Sequence, residues 1–267
     1  MGNQHDLVGR FFMEHSHFWS GVFVPASPEL PRKTGLYNRI NQVNGVPVMG
    51  KLALNPELIR REKLLNQNIQ LMPSVATQAI LHPNVPANGW QSTAVNLYRK
   101  ARRVLENKVM FRPGVDIFIF ANMSEQVPNP DSRVLLGAEK DVFGQNCAYL
   151  DWQVTELDIW SVRRTQEILG AALARAGLGR VEIKLKDNRP PRSLHGGYHH
   201  MGTTRMHPNP QEGVVDANSR VHSVSNLYIA GPSVFPTGGY ANPVLTLVAL
   251  TVRLADHLKK VMGEGSV

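Results

Sequence analysis

The residues best equipped for chemistry in this chain are two histidines set in a glycine–threonine turn, Tyr198-His199-His200-Met201-Gly202-Thr203-Thr204-Arg205-Met206. A neutral imidazole titrates close to working pH, so either ring can take or give a proton as a general base or acid. Four imidazoles, His195, His199, His200 and His207, fall within thirteen residues, which also raises a metal reading. Zinc sites usually add carboxylate or thiolate ligands at regular spacing, and none stands at such a spacing here. Gly196, Gly197 and Gly202 also argue against a helix that would align His195 with His199. A third reading is a pair of loop histidines that cap backbone carbonyls. Further along, Asn242-Pro243 opens an apolar stretch. Asparagine is among the best N-caps and proline the preferred first helical residue, so a helix begins there on local chemistry. The Asn242 amide can donate and accept a hydrogen bond, but it cannot act as a base.

The elements that must position these groups are read from periodicity and breakers. Residues 1 to 85 are weakly periodic and dotted with Pro25, Pro28, Pro31, Pro47, Pro56 and Pro73; within them Val22-Phe23-Val24 is a short strand ended by Pro25. Gln91 to Asn107 predicts an amphipathic helix with Ala94, Leu97, Ala101 and Leu105 on one stripe. Val115 to Phe120, Ser132 to Gly137 and Ala148 to Trp152 are β-rich. The last two flank a polar turn from Glu139 to Gly144 and predict an antiparallel hairpin. Thr155-x-x-Asp158 is a capping box ahead of a long helix that stops at Gly177. A strand near Val181 to Leu185 and a proline-rich connection, Asn188 to Arg192, follow. Asn226 to Ala230 reads as a short buried strand ending in a glycine corner at Gly231, and Pro243 to Val261 as a nearly continuous apolar helix with Leu247, Leu250, Leu254 and Leu258 facing the core. Periodicity alone gives a mixed α and β chain.

In residue identity and spacing, the last third resembles the C-terminal end of the glucose–methanol–choline (GMC) family of flavin-dependent alcohol oxidoreductases. The matching positions are His199-x-x-Gly202-Thr203-x-x-Met206, Gly213-Val214-Val215-Asp216, Arg220-Val221, Asn226-Leu227, Ala230-Gly231-x-Ser233-x-x-Pro236 and Asn242-Pro243. The resemblance is most specific over residues 132–258 and extends over most of the chain, with Asp6 to His15 similar to a segment that follows the first FAD-binding half. It implies a mixed α/β (α+β) fold: an antiparallel substrate-domain sheet covered by helices over 1–187, plus the C-terminal strand and helix of a Rossmann-like FAD-binding domain over 188–267. It also implies FAD as cofactor, a small-molecule alcohol or sugar as substrate, and hydride transfer to the flavin. His199 would then be the general base, with His200 its competitor if the turn differs. Asn242 would be the second catalytic residue, hydrogen-bonded to the substrate oxygen. Ala230, Gly231, Asn242, Pro243 and Val244 would lie against the flavin, where a helix N-terminus offers about half a positive charge to the reduced ring.

A dinucleotide-binding half should also carry a strand, a Gly-x-Gly-x-x-Gly turn and a helix. No such triplet occurs in this sequence, and Gly177-Leu178-Gly179-Arg180 is only a helix stop. The expectation is a C-terminal half whose N-terminal FAD-binding half is missing. Two other readings stay open: a non-catalytic remnant or partner-dependent subunit that binds no flavin alone, and a metal-dependent hydrolase.

The net charge of +8 is carried partly by Arg60-Arg61-Glu62-Lys63, by residues 99–103 and by Lys184-Leu185-Lys186. Without interleaved aromatics these runs read as solvated faces and not as a nucleic-acid surface. No apolar run approaches a membrane span. Asp6, Arg10, Glu14 and His15 interrupt the early apolar residues, unlike a signal peptide, which leaves the cytoplasm as the default location. The single Cys147 excludes an internal disulfide and predicts a small buried hydrophobe. Since a dinucleotide owes much of its affinity to pyrophosphate on glycine-turn amides, the isolated chain is expected to bind FAD weakly or not at all. Titration followed by flavin fluorescence checks this, and tight stoichiometric binding would overturn it.

Overall fold

A computed structural model describes residues 2–74 and 117–263. The expected helix from Gln91 to Asn107 and the basic run at 99–103 lie outside these residues. The centre of the molecule is an antiparallel sheet in the order β4 (Gln67–Ser74), β5 (Ile117–Ser124), β1 (Ser16–Pro25), β8 (Gly179–Ile183), with β9 (His195–Gly196) also paired to β1. One edge of β1 serves β5. The other serves two partners in succession: Gly21 to Pro25 pair with β8, while Ser16 and His17 pair with Gly196 and His195. Two small hairpins lie apart from it, β2 (Asn41–Val43) with β3 (Val46–Val48), and β6 (Arg133–Lys140) with β7 (Asn146–Asp151). Short helices α1 (Leu30–Lys33), α2 (Gly35–Asn38) and α3 (Pro56–Glu62) precede the long α4 (Glu156–Arg175) and α5 (Val244–Gly263).

A β-bulge decides how α4 packs on the sheet. Phe18 and Phe23 are five residues apart, so strict alternation would send them to opposite faces. The register shift between Trp19 and Gly21 inserts one residue and returns both to the same face. Phe18 then packs with Ile159 and Val162 of α4, and Phe23 with Phe118, Phe120, Leu169 and Leu173. A polar seam runs through the same interface: Gln67 donates to the Ser161 carbonyl at 3.0 Å and to the Thr165 hydroxyl at 2.7 Å, and both Asn122 and Gln166 donate to the Ser20 hydroxyl. A second core joins Met13, Met201, Val214, Val215, Val221, Val234 and Phe235 to Leu247 and Leu250 of α5.

The hairpin from 132 to 152 and the helix stop at Gly177 agree with expectation. The strand at 22–24 is longer, starting at Ser16, because Ser16 and Ser20 are buried in the sheet and do not show the outward polar alternation that marks a strand. β4 has no counterpart in the expected elements, since its buried Gln67 and Asn68 and its Pro73 obscure it. The short buried strand at Asn226 to Ala230 is corrected: only an isolated bridge between Arg220 and Tyr228 forms, and Leu227 is 43% exposed. Cys147 sits half-buried in β7, because both faces of that hairpin are open. Among the described residues no helix is long and apolar enough to cross a membrane.

On α5 only Leu254 is fully buried. Val244, Val248 and Val252 form an exposed stripe beside Leu245, which is 83% exposed. The helix thus has a second apolar face that the described residues leave uncovered, as expected for elements built to pack against a neighbour.

The capping box of α4 is complete. The Thr155 hydroxyl accepts from the Asp158 amide, and one Asp158 oxygen accepts from the Thr155 amide at 2.7 Å. The other carboxylate oxygen accepts from the Val127 amide at 2.8 Å, which ties the helix start to the segment after β5. Thr155→Ala should therefore cost about 1 kcal/mol. Asp158→Ala should cost about 2–3 kcal/mol, because it also strands the Val127 amide. Urea unfolding midpoints of the two variants check the difference; equal losses would mean that the Val127 tie contributes nothing.

Candidate active site

Residues 9–17 and 195–203 run antiparallel, and this pairing builds the site. Met13 and Met201 exchange both backbone hydrogen bonds at 3.0 Å, and the Gly9 amide donates to Thr203 at 2.8 Å. At Gly202 the backbone has φ +92°, and a Cβ there would collide with the Phe11 carbonyl. The glycine of His-x-x-Gly-Thr is therefore required by a left-handed turn under a crossing chain. Between the anchors at Gly196 and Met201 the backbone bows outward through Gly197, Tyr198, His199 and His200, with Tyr198 itself at φ +61°.

The bow is filled from beneath by Glu14, which is only 3% exposed. Its carboxylate accepts from the Tyr198 amide at 2.7 Å and the His199 amide at 2.5 Å. No lysine or arginine pairs with it among the described residues; His200 Nε2 is 3.8 Å away. A side chain at 196 would occupy the place of this carboxylate, which explains the glycine there.

Above this support the two histidines part company. His199 is half-buried and meets the edge of the fully buried His15 ring, with 4.9 Å between centroids and Nδ1 to Nδ1 at 2.9 Å. His200 turns outward, tilted against Phe12, with its side chain 64% exposed. His195 lies beside His17 at 5.6 Å between centroids, and His207 turns back onto its own loop near Asn209 and Glu212. The four histidines thus disperse, and no group of three or more potential metal ligands forms among the described residues.

The loop ahead of α5 reaches the same place. The Gly238 carbonyl lies 3.4 Å from His15 Nε2, and the Gly239 amide donates at 3.0 Å to Glu125, whose other oxygen holds both Asn66 nitrogens. Thr204 donates through its hydroxyl to Ser233 at 2.7 Å, and the Met206 amide to the Val234 carbonyl at 2.8 Å, so the motif segments mesh directly. Gly231 adopts φ +136°, ψ 174°, a conformation open essentially to glycine alone, and nothing lies within 4 Å of where a Cβ would be. Ala230, Asn242 and Val244 are exposed. The first intrahelical bond of α5 runs from Leu247 to the Pro243 carbonyl, so the helix opens one residue later than the Asn-Pro signal indicates, and Asn242 makes no side-chain hydrogen bond among the described residues. The structure thus joins His199 to the 236–243 loop through His15, and no hydrogen bond among the described residues links His199 to Ala230, Gly231 or Asn242.

Glu14, His15, His17 and Glu125 escaped the sequence reading. One signal existed: Glu14-His15-Ser16-His17 lies between Phe11-Phe12-Met13 and Phe18-Trp19, a density of titratable groups among apolar ones that points to buried polar side chains. Burial, above all, lowers the pKa of His15. It also drives His17 down to about 4, helped by the neighbouring His195 and His15. His17 Nε2 is buried with no hydrogen-bond partner, pressed against Gly197.

Residues 128–251 match the family described as GMC oxidoreductase, over its C-terminal region. The chain is 34% identical to 2-methyl-1,2-propanediol dehydrogenase of Mycolicibacterium austroafricanum over 148 residues, 54% of this chain and 25% of that protein. It is 30% identical to the fructose dehydrogenase large subunit of Gluconobacter japonicus over 165 residues, 60% of this chain and 28% of that one. A third relative, 6'''-hydroxyparomomycin C oxidase of Streptomyces lividus, is 34% identical over 139 residues, 49% of this chain and 24% of that protein. The matched segment therefore spans about a quarter of the length of these curated relatives.

The depressed pKa of His17 fixes a pH dependence of stability. A histidine whose folded pKa lies below its unfolded value of 6.5 takes up its proton in the unfolded chain first, so stability is lost as pH falls through that window. Folding stability should thus decline from pH 6.5 towards about 4, with His15 adding in the same direction. His17→Gln should flatten the profile of urea midpoints over that range; an unchanged slope would show that the ring does not contribute.

Proposed function

We propose that this chain, whose residues 128–251 match the C-terminal region of GMC oxidoreductases, serves the FAD-dependent oxidation of a CH–OH group on a small alcohol or sugar. The observation that supports this most is His199, a half-buried imidazole whose backbone is fixed by buried Glu14 and whose ring is fixed by buried His15. In this reading residues 1–187 form the substrate side and residues 188–267 the flavin side.

The described residues fit the ring end of a flavin. Gly231 offers bare backbone in open space, and the amides of Val244, Leu245 and Thr246 precede the first intrahelical donor of α5, at an exposed helix start. They supply no glycine turn for the pyrophosphate. That task falls to the N-terminal FAD-binding half inferred from the sequence, whose docking would also cover the apolar face of α5 that the described residues leave open.

Bound there, a flavin supplies the hydride acceptor for the substrate carbon. The chain's own residues handle the proton and the oxygen. His199 takes the hydroxyl proton, since a neutral imidazole is the base suited to near-neutral pH. Asn242 hydrogen-bonds the substrate oxygen, donating as negative charge develops on it. His200, turned outward against Phe12, has no part in the transfer. A non-catalytic, partner-dependent subunit is the other reading. It is favoured by the uncovered face of α5 and distinguished by the absence of turnover once a flavin-binding half is restored.

In the flavin-loaded enzyme His199→Ala should lower kcat by about 10² to 10⁴. His200→Ala should cost far less, and Asn242→Ala should fall between them, because it removes a hydrogen bond and not the base. Raising the pH should partly rescue His199→Ala, since hydroxide can then take the proton. Should His200→Ala be the inactive variant, the base is the neighbouring residue and the assignment is off by one.

A further inference from the structure

We propose that His15 is a positioning residue for His199, holding it in the tautomer that carries its proton on Nδ1 and leaves Nε2 bare. The inference follows from counting protons along one line of polar atoms. His15 Nε2 faces the Gly238 carbonyl at 3.4 Å, and a carbonyl can only accept. Nε2 of His15 therefore carries the proton. A neutral imidazole holds one N–H, so Nδ1 of His15 is a lone pair. That lone pair lies 2.9 Å from Nδ1 of His199. Two bare nitrogens at that distance would repel, so His199 Nδ1 donates. Its own Nε2 is then left as a lone pair, the form a general base needs.

The surroundings keep this arrangement single-valued. His15 is fully buried, which leaves no room for water to replace the acceptor. The rings meet edge-on at 70°, an angle that an in-plane N–H···N bond allows. The charged and titratable groups that face His15 are Glu14 from its own segment, His17 on β1 and His199 on the opposing segment. From the 236–243 loop only the backbone of Gly238 and Gly239 approaches, and Glu125 is engaged by the Gly239 amide. Burial and the neighbouring His199 oppose a second proton on His15, while the Glu14 carboxylate favours one. That carboxylate is already occupied by the amides of His15, Tyr198 and His199. His15 thus does for His199 what a carboxylate does for many catalytic histidines, but as a neutral acceptor. Because its other nitrogen holds Gly238, the same ring also couples the base to the loop that leads to Asn242.

The consequence for turnover rests on the reading of His199 as the base; the tautomer itself does not. Long-range ¹H–¹⁵N spectra of the histidine-labelled chain should show His199 protonated on Nδ1 and His15 protonated on Nε2. In His15→Leu, His199 should shift to the Nε2–H form or a mixture. His15→Asn, whose side-chain oxygen can stand where Nδ1 was, should restore the Nδ1–H form. A wild-type His199 protonated on Nε2 overturns the proposal, and so does a His15→Leu chain with an unchanged tautomer. If His15→Leu does not fold, the wild-type and His15→Asn spectra still decide. In the flavin-loaded enzyme His15→Leu should lower kcat on the order of 10- to 100-fold, with KM moving less. The acid limb of kcat/KM should move to lower pH, and His15→Asn should recover most of the loss. A structural defect alone would not move that limb. Undiminished turnover in His199→Ala would sink the base reading and leave the spectra to judge His15 by themselves.

Discussion

A carboxylate with no cation beside it can be buried only where N–H groups take the place of its water. Glu14 meets that condition through the backbone amides of Tyr198 and His199, and those amides point inward only because residues 195–203 bow over residues 9–17. Much else in the site is the consequence. Gly196 has no side chain because the carboxylate fills the space, and Gly202 has none because Phe11 crosses it. With the backbone of His199 pinned, its ring has one buried neighbour to meet, His15. His200 turns outward instead, against Phe12.

The central strand carries this arrangement into the rest of the fold. β1 divides one edge between β8 and β9, so a single strand lines up the central sheet and the histidine segment. The bulge near Ser20 lets Phe18 and Phe23 share α4, and the hydroxyl of Ser20 collects Asn122 and Gln166 in the same layer. α4 is tied at its start to the segment after β5 through Asp158, and Glu125 in that segment holds the loop ahead of α5 through Gly239. The helix, the sheet and the loop are therefore linked by buried carboxylates that accept backbone amides. Such contacts are strong and short-ranged, and they set positions to within a hydrogen bond's tolerance.

Local signals were legible wherever one stretch of chain contains its own reason. Thr155 and Asp158 close a capping box with each other, and the hairpin from 132 to 152 turns on its own polar residues. Gly177 stops α4, and the apolar run after Pro243 forms α5, one residue later than the Asn-Pro signal. The motif from His199 to Met206 was likewise visible, since its glycine and threonines are read by spacing alone. Residues whose role depends on a distant partner were not legible. Ser20 and Gln67 look like surface residues and are buried strand positions, because their hydrogen bonds are completed by other elements. Leu227 looks like a buried strand residue and is exposed, because the described chain forms no ladder around it.

The sequence by itself determined the chemistry available: an imidazole in a glycine–threonine turn, an amide ahead of an apolar helix, and a family pattern ordered from His199 to Pro243. Which imidazole is supported, and by what, was decided by tertiary structure. Glu14 and His15 lie 184 or more positions before the amides and the ring they hold, and nothing local to either segment specifies the other. An imidazole gains its direction and tautomer from the hydrogen bond on its far nitrogen, and that bond exists only once the chain has brought residues 9–17 and 195–203 together.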